Sequence, residues 1–182
     1  MIPRGATRFF LLLALLCAPA ASLDAQAFGG SAGIAVPVGT LAANRDLGLR
    51  VQGSYYTPGG RLRADVAGVY FPGNETQGQV TTNYADWRSL SLGVNFLPRL
   101  RPATDALTLR ALLGLSAHTM SIKGDDNPYG IVPGLQLGGV LEHRTRFGML
   151  TAEAGYHIVA SDYGVAELEP VLFVPVLIGF RF

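Results

Sequence analysis

The sequence predicts an all-β chain, an eight-stranded antiparallel up-and-down transmembrane β-barrel over residues 28–182 preceded by a cleaved signal peptide over residues 1–27. Three observations carry this. The last twelve residues, Val171 to Phe182, alternate with period two and set Phe182, Phe180, Ile178, Val176, Val174 and Leu172 on one apolar face. Seven stretches upstream repeat the pattern. Mean hydropathy is positive at +0.30, yet no run after residue 27 supplies the roughly 20 apolar residues that a spanning helix needs. Strands that are apolar on one side only, about ten tilted residues each, reconcile the two.

Residues 1–27 read as a secretory signal peptide. Arg4 and Arg8 charge a short leading region, Phe9 to Cys17 is apolar but too short to span, and Ala25-Gln26-Ala27 offers small residues at the cleavage positions. Bulky Leu15 and Leu16 before Cys17 speak against lipid attachment there. Cleavage after Ala27 removes the single cysteine, and with it any disulfide or thiolate chemistry. It also removes Arg4, Arg8 and Asp24, so the 14 basic and 13 acidic residues of the whole chain become a balanced 12 and 12. A neutral chain has no electrostatic footprint for nucleic acid.

The eight strands are expected in order. Strand one is Ser31 to Pro37, followed by a loop over Val38 to Asp46. Strand two, Leu47 to Tyr56, opposes Leu49, Val51, Gly53 and Tyr55 to Arg50, Gln52, Ser54 and Tyr56. Thr57-Pro58-Gly59-Gly60 is a tight turn, with proline presetting one dihedral and glycine supplying positive φ. Strand three, Arg61 to Phe71, sets Leu62, Ala64, Val66, Gly68 and Tyr70 against Arg63, Asp65, Ala67 and Val69, before a long polar loop from Pro72 to Trp87 in which Asn74-Glu75-Thr76 reads as a turn. Strand four is Arg88 to Leu97, with a turn over Pro98 to Thr104, and strand five, Asp105 to Ile122, is the longest. After the turn-rich Lys123 to Tyr129 come strand six, Gly130 to Glu142, and strand seven, Gly148 to Ile158. Ser161 to Pro170 leads to the closing strand. Connectors after strands one, three, five and seven are long and polar, and those after two, four and six are compact. That alternation suits an up-and-down barrel with its turns on one rim and its loops on the other. Pro37 and Pro133 fall near rims, whereas Pro175 is central to its strand and predicts a bulge that shifts register.

Periodicity alone leaves open which face is inside, because a soluble barrel with an apolar cavity alternates in the same way. Charge and aromatic placement favour an apolar outside. Phe28, Tyr55, Phe96, Phe147, Phe180 and Phe182 gather at the turn side, and Tyr70, Trp87, Tyr129, Tyr156 and Tyr163 at the loop side, as two interfacial girdles. The lumen then contains Arg50, Arg63, Asp65, Arg110, Glu142, Glu153 and Arg181, with Gln52, Ser54, Ser89, Ser91, Asn95, Ser116, His118, Gln136 and His157. An eight-stranded barrel is just wide enough for side chains to fill, and buried charges in so narrow a space must pair. An ion-pair and hydrogen-bond network is therefore expected in place of an open pore.

The signal peptide, the strand pattern and the terminal Phe182 resemble the small eight-stranded outer-membrane β-barrels of the OmpA and OmpX type over the whole of residues 28–182. The resemblance implies an integral protein of the bacterial outer membrane, monomeric and without a cofactor. It implies contact with outer-membrane lipid and lipopolysaccharide, and recognition during biogenesis by periplasmic chaperones and by the barrel-assembly machinery, for which Phe180 and Phe182 would be the signal. A structural or surface-interaction role is the expected function, and a narrow channel for small solutes or apolar molecules is the alternative.

Enzymatic chemistry has weaker support. Ser116 and His118 share a face, as do Glu153 and His157, and some barrels of this size are lipid A deacylases or acyltransferases. Order and spacing do not match those enzymes, and the residues face the lumen, so no catalytic residue is assigned. Asp125, Asp126, Asp162, Glu167 and Glu169 make the outer loops acidic without metal-site spacing, and Arg61, Arg99, Arg101, Arg144 and Arg146 cluster at the turn side. Both read as solvated rims, with no metal or cofactor site.

Overall fold

The computed structural model describes residues 28–73, 75–76, 82–83, 86–102, 106–122, 129–160 and 170–182. The expected signal peptide, residues 1–27, lies outside the described residues, as do most of the outer-loop positions.

Eight long strands form the barrel: β1 Phe28–Val38, β2 Gly48–Tyr56, β3 Leu62–Phe71, β4 Trp87–Phe96, β5 Leu107–Ile122, β6 Tyr129–Thr145, β7 Gly148–Val159 and β8 Val171–Arg181. Each pairs antiparallel with its sequence neighbour, and β1 closes on β8 in an unbroken register from Gly29 opposite Arg181 to Val38 opposite Leu172. The Phe182 N–H donates to the Phe28 carbonyl at 2.9 Å, extending that seam by one bond. Closure is what a bilayer demands, since hydrocarbon offers no partner to an open sheet edge. Among the described residues no helix is long and apolar enough to cross a membrane.

The expected strands are present, with shifts at their ends. β1 begins at Phe28 instead of Ser31, and the longest strand is β6 with 17 residues, one more than β5. The loop after β1 contains a short helix, α1 (Thr40–Asn44), started by Gly39 at φ 64°. It turns Leu41 into the barrel mouth, where that side chain is buried. Trp87 belongs to β4, not to the loop before it. Glu75 and Thr76 form a two-residue strand paired with Thr82–Asn83 instead of a turn. Arg99–Pro102 folds back on β5 with a register shift, so that connector is more than a simple turn. The β2–β3 turn is as expected, with Gly59 at φ 81° and Gly60 at φ 63°.

Pro175 does not shift the register. It faces Ala35 of β1 within an unbroken ladder, and on the β7 side the pairs Ala154–Val176 and His157–Phe173 stay in one register. The missing N–H is accommodated by a local gap in pairing at Gly155 and Tyr156. The bulge lies elsewhere, between His118 and Met120, where β5 pairs with β6.

Candidate functional site

The two faces of the barrel are inverted relative to a water-soluble protein. Large apolar side chains stand outside, with Val51 64% exposed and Leu115 69%, while Arg50, Asn95, Gln136 and Glu142 are 0–1% exposed inside. Period two delivers this directly, because alternate residues of every strand point to opposite sides. All eight residues of the expected network lie within the lumen: Arg50, Arg63, Asp65, Arg110, Glu142, Glu153, His157 and Arg181 are each buried.

The three carboxylates occupy the half of the lumen nearer the turns. Glu142 on β6 receives Arg110 Nε on one oxygen at 2.7 Å and Arg181 Nη1 on the other at 3.2 Å. Arg110 also donates to the Leu97 carbonyl at 3.1 Å, tying this pair to the turn after β4. One layer further in, Arg63 grips both oxygens of Glu153 across the barrel and places its Nε 2.9 Å from Asp65. Asp65 also accepts from Ser54 Oγ at 2.6 Å and from the Asn95 amide. The charge-assisted bonds thus leave no carboxylate oxygen of the three without a donor, which is what lets buried ions persist in a narrow space. Gly114 makes room here, since a Cβ in its place would strike the Asn95 side chain. Below the ion pairs, Tyr56, Leu97, Leu112 and Val140 close the turn-side end as an apolar layer, with the Arg181 guanidinium 4.6 Å from the centre of the Tyr56 ring.

The loop-side half is built differently. Among the described residues Arg50 meets no carboxylate at ion-pair distance. It donates to Gln52 Oε1 at 3.1 Å and to His157 Nδ1 at 3.4 Å, and lies 6.0 Å from the centre of the Phe173 ring. His157 stacks on Phe173 with centroids 4.9 Å apart. His118 places its two ring nitrogens 2.9 Å from Ser116 Oγ and 3.1 Å from Ser89 Oγ. A Cβ at Gly134 would lie 2.8 Å from His118 Nε2, so glycine opens the space for that ring. Above them a wholly apolar cluster closes the mouth: Ala35, Leu41, Val69, Phe71, Trp87, Met120, Val159, Val171 and Phe173. Phe71 packs against both Trp87 and Phe173, with centroids 5.5 and 5.6 Å apart.

This cluster corrects the expected loop-side girdle. Trp87 is 1% exposed and belongs to the lumen plug instead of the interface. Its parity with Ser89 and Ser91 along β4 was the signal that could have placed it. Tyr156 is outward and 51% exposed, as a girdle residue should be, while the side chains of Tyr129 and Tyr163 lie outside the described residues. Phe180 is half-buried beside the 65% exposed Phe182, with centroids 5.6 Å apart at the turn-side edge of the seam.

The arrangement offers little reaction chemistry. Ser116 and His118 do form a close pair, but His118 has a second serine where a catalytic acid would orient it, and both groups are buried in the lumen. Among the described residues no three His, Cys, Asp or Glu side chains gather as a metal site. The acidic loop positions Asp125, Asp126, Asp162, Glu167 and Glu169 lie outside the described residues.

No family model matches the sequence, and no curated protein is similar to it in a sequence search. In structure the chain is similar to Neisserial surface protein A, at 16% identity over 85% of this chain and 94% of that one, with a TM-score of 0.57. A major outer membrane protein from Thermus thermophilus aligns at 15% identity over 86% of this chain and 98% of that one, with a TM-score of 0.49. Ail, the attachment invasion locus protein of Yersinia pestis, aligns at 16% identity over 86% and 95%, with a TM-score of 0.39. Taken with the likeness to Neisserial surface protein A, the closed ring of eight strands, greasy outside and charged within, gives this chain the fold of the small outer-membrane β-barrels.

Proposed function

We propose that the chain is an integral protein of the bacterial outer membrane in which the barrel is a closed, monomeric anchor and the loops present a surface to partners. One observation supports this reading: the described lumen side chains include an apolar layer towards each mouth, with ion pairs in the turn-side half and Arg50 among neutral groups in the loop-side half. A barrel whose lumen is occupied by its own side chains leaves the outer loops as the place for function. The buried Ser116–His118 pair, without an acid and away from lipid, supports a non-enzymatic role. Lipopolysaccharide is the loop-side neighbour in this reading. The exposed Phe182 ring beside Phe180 at the turn side suits capture by the assembly machinery and periplasmic chaperones.

Conductance of the refolded protein in a planar bilayer tests it. The expected result is no unitary conductance. Steady ion flow that falls on substitution of Arg110 or Glu153 would replace the anchor with the narrow-channel reading.

A further inference from the structure

The outward face of the barrel is not uniform. Small residues interrupt the large outward side chains at several places, and on β2 and β3 two of them, Gly53 and Ala64, lie among Tyr55, Leu62 and Val66. Gly53 and Ala64 both face outward, and a Cβ on Gly53 would meet no atom within 4 Å. The result is a groove of about 770 Å³ that passes over Gly53 and Ala64 and runs across the strands, from Phe28 and Tyr55 on β1 and β2, past Leu92 and Val94 on β4, to Leu115 and Ala117 on β5. The Phe28 and Tyr55 rings pack 5.3 Å apart as one aromatic wall. A volume of this size falls within the range of about 300–1,000 Å³ typical of small-molecule sites. Its lining is apolar and lies in the band that meets hydrocarbon, so its occupant comes from the bilayer.

The second observation is the charge at the rim beyond the groove. The ladder continues from Ala64 to Leu62 opposite Phe96, then enters the two turns that carry Arg61 and Arg99. The Leu97 N–H donates to the Arg61 carbonyl at 2.7 Å, which holds these turns side by side. Arg61 and Arg99 are both exposed, as are Arg144 and Arg146 further round. Among the described residues this rim has no exposed Asp or Glu side chain, with Asp105 outside them. Leu62 and Phe96 stand between the groove and the two arginines, so a lipid with an acyl chain in the groove would pass these side chains to bring a net negative headgroup to the rim.

We infer that this groove holds one anionic phospholipid of the leaflet on the turn side, an acyl chain lying over Gly53 and Ala64 and the phosphate at Arg61 and Arg99. The inference rests on the membrane reading above. Native mass spectrometry of the protein released from nanodiscs of phosphatidylcholine and phosphatidylglycerol tests it. One phosphatidylglycerol should stay bound per barrel, preferred roughly tenfold over phosphatidylcholine. The Arg61→Gln, Arg99→Gln double variant should level that preference, and Ala64→Leu, which fills the slot, should release the lipid. Equal retention of both lipids by the unaltered protein, retention indifferent to the variants, or two barrels joined through this face with no lipid held would each overturn the inference. Heat-modifiable gel mobility and conductance are read on the same samples. A folded, closed barrel that holds no lipid sinks the groove site alone, whereas a barrel stable in water without detergent sinks the membrane reading and the site together.

Discussion

The two halves of the lumen solve one problem by opposite means. Towards the turns, Arg63, Arg110 and Arg181 are matched to Asp65, Glu142 and Glu153 with short, charge-assisted contacts. Towards the loops, Phe71, Trp87 and Phe173 fill the space as any soluble core would, and beneath them, among the described residues, Arg50 is held by neutral groups. The difference teaches that a charged interior is not needed to plug the barrel. The ion pairs fix which strands face one another, while the aromatic layer simply excludes water.

This contrast can be broken at its strongest point. Glu142→Ala leaves Arg110 and Arg181 buried without their shared acceptor, and should cost about 3–5 kcal/mol in urea unfolding of the protein refolded into vesicles. Phe173→Ala in the aromatic layer should cost slightly less, about 3 kcal/mol, and shift the emission of the single tryptophan, Trp87, as its packing loosens. A third variant, Leu41→Ala, removes the contribution of α1 to the mouth; about 2 kcal/mol is expected, with faster hydrogen exchange confined to the loop-side strand ends. Arg50→Met sharpens the comparison most, because its sign should reverse. Replacing an ion that has no carboxylate at ion-pair distance among the described residues by an apolar side chain of similar length should leave stability unchanged or raise it by about 1 kcal/mol, and a loss comparable to that of Glu142→Ala would erase the distinction between the halves.

Much of this interior is legible in the primary structure. Period two places Arg50, Arg63, Asp65, Arg110, Glu142, Glu153, His157 and Arg181 on one side of their strands, and the apolar opposite faces turn that side inward. Pairing is not legible, because Arg63 and Glu153 are 90 residues apart and meet only once every intervening register is set. Trp87 was hidden by the polar run before it, which masks where β4 begins. Leu41 was hidden because a single apolar residue in a loop has no period to betray it. Pro175 misled for a physical reason: a proline in a strand interrupts only one of its two ladders, and β8 tolerates that where Gly155 faces it across β7.

The seam between β1 and β8 has a topological consequence. With the first and last strands adjacent and antiparallel, and every other neighbour joined by a hairpin, the ring has no intrinsic origin. Splicing the two ends and reopening the backbone at the Arg146–Phe147 turn would yield a circular permutant with the same wall and the same filling. Pairing alone therefore leaves the order of the hairpins free to vary but not their cyclic sequence, while the proposed capture signal at Phe180 and Phe182 would become internal in such a permutant.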